Sequence, residues 1–180
     1  MESLSLIALS PEWQDALRDM AEDYRSAGEH RHERIFKMTY EDFFVFLRNL
    51  EEEALDIALP ANIVPQTTFW LVSNENKLLG SVRVRHRLTP ALEREGGHIV
   101  IDIRPSQRGK GYGEQALLLA LEKAAGLGLE KVLVVCDHEN TASIKLIEKS
   151  GGELIDEVYS PRCQKPVRRY WMKSGPVKGE

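Results

Sequence analysis

Apolar positions along the chain fall into short β-branched runs and longer stripes at helical spacing. Leu4 to Leu9 is short and apolar and reads as a first strand. Ser10-Pro11-Glu12 predicts a helix start: Ser10 as N-cap, proline at the first helical position, and an acid near the positive end of the dipole. Trp13, Leu17, Met20 and Tyr24 then recur at helical spacing as one apolar face, up to a stop near Gly28. A polar loop from Glu29 to Arg34, with His30 and His32 in it, leads to a second helix capped by Thr39. Its predicted buried side is Phe43, Phe44, Phe46, Leu47 and Leu50.

Beyond a loop broken by Pro60 and Pro65, the period changes from helical to extended. Thr67–Val72 and Leu78–Leu88 form a hairpin around the turn Ser73–Lys77. A loop with Pro90, Gly96 and Gly97 precedes the strand His98–Ile103. A helix follows from about Gly111 to Gly126, then the buried strand Lys131–Cys136 and a short helix Asn140–Lys149 that stops at Gly151-Gly152. Glu153–Tyr159 and Val167–Met172 make a last hairpin, and Ser174–Glu180 is a loose tail. If the strands flanking the helix after Gly111 are parallel, the three elements form a right-handed crossover unit. The element pattern is that of an α/β chain without internal repeats.

At 180 residues the chain is expected to be one domain, 1–180, with a helical part at 10–58 and a core at 66–172. A formal net charge of −4 argues against nucleic acid as a partner. The two cysteines, Cys136 and Cys163, are far apart and in no metal-binding or redox spacing, so a reducing, cytoplasmic setting and no metal are expected. The N-terminus lacks the basic and apolar regions of a signal peptide, and no apolar run approaches membrane-spanning length.

The chemistry concentrates at Arg108-Gly109-Lys110-Gly111-Tyr112-Gly113, between the strand Ile99–Ile103 and the helix that follows. Glycines at alternate positions leave backbone N–H groups unshielded, and at a helix start those donors lack intrahelical acceptors and feel the positive end of the dipole. Arg108 and Lys110 add positive charge, so the segment reads as a pyrophosphate cradle. The dinucleotide fingerprint fails at Glu114, where a small residue is needed, and the P-loop pattern is absent.

Arg-x-x-Gly-x-Gly after a strand and Arg104-Pro105 resembles the coenzyme A loop of the GNAT N-acetyltransferase superfamily. The resemblance covers about residues 66–172 and implies a mixed, mostly antiparallel sheet with helices on both faces. It implies acetyl-CoA as co-substrate and acetyl transfer to a primary amine, of a small molecule, by direct attack. It also implies an acyl-pantetheine arm lying between His98–Arg104 and Lys131–Cys136. The backbone of Ile101, Asp102 and Ile103 would pair with the arm, and one N–H would polarise the thioester carbonyl. Arg108, Gly109, Lys110, Gly111, Tyr112 and Gly113 would hold the diphosphate; Asn140, and Ser143 one turn on, would face the arm. Dimers are common among relatives. Arg83–Leu88, Gly96–His98 and Arg168–Trp171 are similar to a bacterial subgroup of such enzymes.

Two positions depart from the family pattern. Where many relatives carry a tyrosine acid and some a glutamate base, this chain has Ile147 and Val135. Substitute proton carriers are His98 and Asp102, which alternation places on one face of a strand, and Tyr170 (with Tyr159) on the last hairpin. A hydrogen-bonded core residue is the alternative for His98. Cys136 reads as a small core residue, and Asp137-His138-Glu139 as a polar cluster near the acetyl position. Arg83, Arg85 and Arg87 alternate on a strand and share a face, with Arg168 and Arg169 as additions. They suggest an acceptor that carries a carboxylate or phosphate; a solvated face paired with glutamates is the other reading. A non-catalytic acyl-CoA sensor and a protein N-terminal or lysine acetyltransferase stand as competing functions.

Overall fold

A computed structural model describes residues 3–30 and 40–176. Thr39, the polar stretch 31–34 and the last four residues of the tail lie outside the described residues. Among the described residues, seven strands form two antiparallel sheets. The first runs in the order β1 (Leu4–Ile7), β2 (Gln66–Ser73), β3 (Leu78–Arg85), β4 (Ile99–Ile103); the second runs β5 (Lys131–Asp137), β7 (Lys165–Lys173), β6 (Glu153–Ser160). The helices are α1 (Gln14–Ser26), α2 (Tyr40–Ala54), α3 (Pro90–Glu95), α4 (Tyr112–Gly126) and α5 (Thr141–Lys149). This is the predicted α/β arrangement, with helices packed on both faces.

Alternation along β2 and β3 decides which residues meet which helices. Trp70, Val72 and Leu78 pack with Leu17, Met20 and Tyr24 of α1 and Phe43 of α2. Leu71, Leu79, Val82 and Val84 pack on the other side with Ala116, Leu117, Ala120 and Leu121 of α4, joined by Val132, Val134, Tyr170 and Met172. Phe44, expected on the buried side of α2, is 54% exposed, because it lies about 100° around the helix from the Phe43/Phe46/Leu47/Leu50 stripe. Ser10 gives no side-chain cap; Pro11–Trp13 forms a 3-10 turn ahead of α1. Helix α3 falls where a plain loop was expected, and Thr89 caps it by accepting from the Leu92 N–H.

The two sheets are fastened between β4 and β5. His98 N–H donates to the Leu133 carbonyl at 2.7 Å, and Leu133 N–H donates to His98 Nδ1 at 2.9 Å. An imidazole nitrogen thus takes the place of a backbone carbonyl. Gly97, at φ +66, makes the approach possible: a Cβ there would stand 2.5 Å from the Leu133 carbonyl oxygen. This contact is where the structure places His98, expected as a catalytic base. Its Nδ1 is occupied as an acceptor, and burial together with the nearby Arg85 charge lowers its pKa to about 4.

A second fastening joins α1 to the end of β4. Arg104, 4% exposed, donates to Asp23 and Asp19 carboxylates at 2.7 Å each and to the Leu78 and Asp19 carbonyls. Ser106 donates to Asp23 from both its N–H and its hydroxyl. Burial opposes the charge on Asp23, but these hydrogen bonds outweigh it and hold the carboxyl below its usual range.

Two measurements check these fastenings. The unfolded His98 titrates near pH 6.5 and the folded one near 4, so the unfolded chain binds the extra proton in between. His98 therefore adds stability, on the order of 3 kcal/mol at most, that is complete above pH 6.5 and lost as the pH falls toward 4. Urea unfolding across that window should show the loss, and His98→Asn should flatten it. Arg104→Ala should cost about 2 kcal/mol in the same assay at neutral pH, because it leaves the partly buried Asp23 carboxylate with Ser106 as its remaining donor.

Candidate active site

Backbone direction along β4 creates the site. Arg85 N–H donates to the His98 carbonyl and Arg104 N–H to the Leu79 carbonyl, and the register between them pairs Arg83 with Val100 and Ser81 with Asp102. In an antiparallel ladder such pairs alternate, so Val100 and Asp102 turn their N–H and C=O groups to β3. Ile99, Ile101 and Ile103 turn theirs to the opposite edge, toward β5. Beyond the His98–Leu133 joint that edge faces open space. Of the three residues expected to present backbone groups there, Ile101 and Ile103 do so and Asp102 does not.

Two adjoining clefts occupy the space. One, of about 690 Å³, is lined by Ile101–Ile103, the loop Gln107–Gly113 apart from Lys110, and Asn140, Ser143, Lys145 and Lys149. The other, of about 530 Å³, is lined by Val134–Asp137 of β5, Ile99–Ile103 apart from Asp102, and by Arg83, Arg85, Glu95 and Arg162. Ile101, Ile103, Gly113, Asn140, Ser143 and Leu146 belong to both, so the two are one continuous passage between the strands.

The glycine loop has the expected main chain and an unexpected set of side-chain partners. Gly109 and Gly111 adopt φ of +74 and +84, and Gly111 is the N-cap residue of α4. Arg108, expected to face the diphosphate, instead grips both oxygens of Glu29 at 2.5 and 3.0 Å and donates to the Ile103 carbonyl at 2.8 Å. That pairing with Glu29 raises its pKa. Lys110 reaches Gln107 on the outer side of the loop. Besides Arg108, the cations that line this first cleft are Lys145 and Lys149 of α5, the latter 2.8 Å from Glu114. Sequence reasoning passed over them. Their signal was spacing: Ala142, Lys145, Leu146 and Lys149 recur at i, i+3, i+4 and i+7 and form one helix face.

Asn140 caps α5, its side-chain oxygen accepting from the Ser143 N–H at 3.0 Å, and both residues face the passage as expected.

Of the remaining proton-carrier candidates, Asp102 lines the first cleft and Tyr170 and Tyr159 line neither. The Asp102 carboxylate points to the α1 side of the sheet, where it influences Tyr24 and lies 3.8 Å from Arg108. Tyr170 is fully buried and donates to Glu148 at 3.1 Å; burial is the main reason its pKa is raised. It lines neither cleft, because its ring belongs to the core that packs against α4. Tyr159 is 60% exposed on the edge strand β6.

Val135 and Ile147 form apolar wall where relatives place an acid or a base. Beside them the Cys136 thiol is pushed up to about 11 by burial, so it stays protonated and is a poor nucleophile near neutral pH. Asp137 lies at the far end of β5, its carboxylate held by Lys165 and the Glu139 N–H, which lower its pKa.

At the mouth of the second cleft, Arg85 donates to the Gly96 and Gly97 carbonyls at 3.0 and 2.7 Å. Arg83 is exposed beside it, and Arg162 enters from the β6–β7 turn. The other expected members of this patch are elsewhere. Arg87 pairs with Asp56, Arg168 with Glu157, and Arg169 binds both oxygens of Asp156.

Similarity to known proteins agrees with this geometry. A stretch of 67 residues is 33% identical to mycothiol acetyltransferase of Mycobacteroides abscessus; it makes up 37% of this chain and 22% of that protein's length. Among solved structures, ribosomal-protein-S5-alanine acetyltransferase from Vibrio fischeri superposes with a TM-score of 0.68 at 16% identity, over 99% of this chain and 97% of that one. Spermidine N-acetyltransferase from Vibrio cholerae, in complex with CoA and spermine, superposes with a TM-score of 0.62 at 16% identity, over 97% of each chain. At these identities the superpositions establish the fold. The family model described as acetyltransferase (GNAT) family matches residues 13–152, and the chain therefore belongs to the GNAT acetyltransferase family.

Proposed function

We propose that the chain transfers the acetyl group of acetyl-CoA to a primary amine of a small molecule by direct attack, with no covalent enzyme intermediate. The observation that supports this most is Gly113. It lies in the first turn of α4 and faces both clefts, and a Cβ there would meet only Leu146, at 4.0 Å. Glycine in a helix costs about 1 kcal/mol against alanine, and no packing within the described chain requires it. Its bare backbone leaves room for a ligand between the glycine loop and the edge of β4.

The bound coenzyme would supply an activated thioester. The first-turn amides of α4, with the positive end of its dipole, would hold the diphosphate, and Lys145 and Lys149 would add charge from the opposite wall. The cleft-facing N–H groups at Ile101 and Ile103 would pair with the arm, where a donor can stabilise charge developing on a carbonyl oxygen. The NH2 of Asn140, whose oxygen is already used as a cap, faces the same space.

The proton balance is met differently from a dedicated base. Among the described residues lining the passage, the carboxyls with a resolved shift, Glu95 and Asp137, are both held below their usual range, by the Ser160 hydroxyl and by Lys165 respectively. Arg83, Arg85 and Arg162 surround the amine's approach, and nearby positive charge favours the neutral form of an ammonium. The acceptor would then reach the thioester already deprotonated, its last proton leaving through water.

Thiol release from acetyl-CoA against a panel of small amines, polyamines and peptides tests the proposal. Turnover with at least one small amine is expected. Tight acetyl-CoA binding with no turnover would instead mark a sensor, and turnover confined to peptides a protein-modifying enzyme. Gly111→Ala, which is free of clashes but strained at φ +84, should cost about 1 kcal/mol of stability and weaken coenzyme A binding tenfold or more by calorimetry.

A further inference from the structure

The passage has two ends of different character. The glycine-loop end answers a diphosphate. At the other end three guanidinium groups converge from parts of the chain that are distant in sequence: Arg83 and Arg85 on β3, and Arg162 in the turn between β6 and β7. Their charges are close enough for Arg83 and Arg162 each to lower the pKa of Arg85, after burial itself.

Like charges gathered in a cleft are costly unless an anion answers them. Arg85 is partly accounted for, since its Nη1 donates to both the Gly96 and Gly97 carbonyls at the closed end of the strands. Glu95 lies among the arginines, yet one of its oxygens already accepts the Ser160 hydroxyl and the Arg162 backbone N–H. Glu53, on α2, contributes a counter-charge felt at Arg85. Among the described residues, no ion pair engages the side chain of Arg83 or Arg162. By contrast Arg87, on the same strand, is neutralised by Asp56 at 2.7 Å. Two forked donors are thus left at the mouth of the cleft, in the geometry suited to a carboxylate or phosphate.

We infer that the acceptor is a primary amine that also carries an anionic group, a carboxylate or a phosphate, which Arg83 and Arg162 hold while the amine enters toward Ile101. This inference rests on the transferase reading above and narrows it. The same charges repel a polyamine, so acceptors with several ammonium groups are selected against.

The test is steady-state thiol release with matched acceptor pairs that differ only in the anion: an amino acid against its decarboxylated amine, and O-phosphoethanolamine against ethanolamine, with spermidine as the cationic extreme. The anionic member of at least one pair should have a kcat/KM at least tenfold higher, and the pair that shows it distinguishes carboxylate from phosphate. Arg83→Ala and Arg162→Ala should each shrink that ratio severalfold, the double variant should bring it close to one, and Arg87→Ala should leave it as it is. Coenzyme A affinity, measured by calorimetry, reports whether the variants remain folded and loaded. Equal or better turnover of neutral amines or spermidine would overturn the inference and leave the transferase reading intact, as would an anion preference that survives the double variant. If coenzyme A binds and no amine of any charge is turned over, the transferase reading falls and this inference with it.

Discussion

The paired hydrogen bonds between His98 and Leu133 set the geometry of everything around the passage. A backbone carbonyl at the acceptor position would let a ladder continue, and the two sheets would zip into one. An imidazole nitrogen accepts the same N–H but ends the pairing, because the next backbone group is not where the following rung needs it. Beyond that joint the strands part, and the edge of β4 is left with its N–H and C=O groups facing a cleft. An open edge is ordinarily a hazard in a folded protein. Here it lies in a passage lined by residues of α4 and α5, where a ligand can use it.

The site that results relies on main-chain donors more than on titrating side chains. Positions that could carry a base or an acid hold Val135 and Ile147, the neighbouring thiol stays protonated, and the lining of the first cleft includes three glycines, two lysines and an asparagine that caps a helix. Backbone amides keep their charge distribution at any ordinary pH and are fixed by the fold, so they need no tuning. What such a site requires is precise strand separation.

Much of this was legible in the sequence. The order of strands and helices follows from period and punctuation, and the glycine loop follows from three glycines between a β-branched run and a helical one. The choice of partners was not legible. Arg108 stands in the motif, yet its guanidinium goes to Glu29, 79 residues earlier, and Arg104 goes to Asp19 and Asp23. His98 and Asp102 share a strand face in both views, but only the fold reveals that one face is turned to α1 and that one ring closes a joint. Arg162 belonged to a turn with no periodicity to mark it, while Arg168 and Arg169 looked equally basic and are neutralised across the β6–β7 hairpin. Charge runs are visible in a sequence; the counter-charges that cancel them are a property of the fold.

The contacts of Arg104, Ser106 and Arg108 with Asp19, Asp23 and Glu29 bind α1 and the residues after it to the segment that opens into the glycine loop. Helix α1 belongs to the side of the sheet from which Arg83 and Arg85 project, whereas the glycine loop lines the first cleft. Six charged or hydroxyl groups therefore couple the helix to the glycine-loop end of the passage. Displacing the helix would drag the loop, so the position of the loop is set by a helix that lines neither cleft.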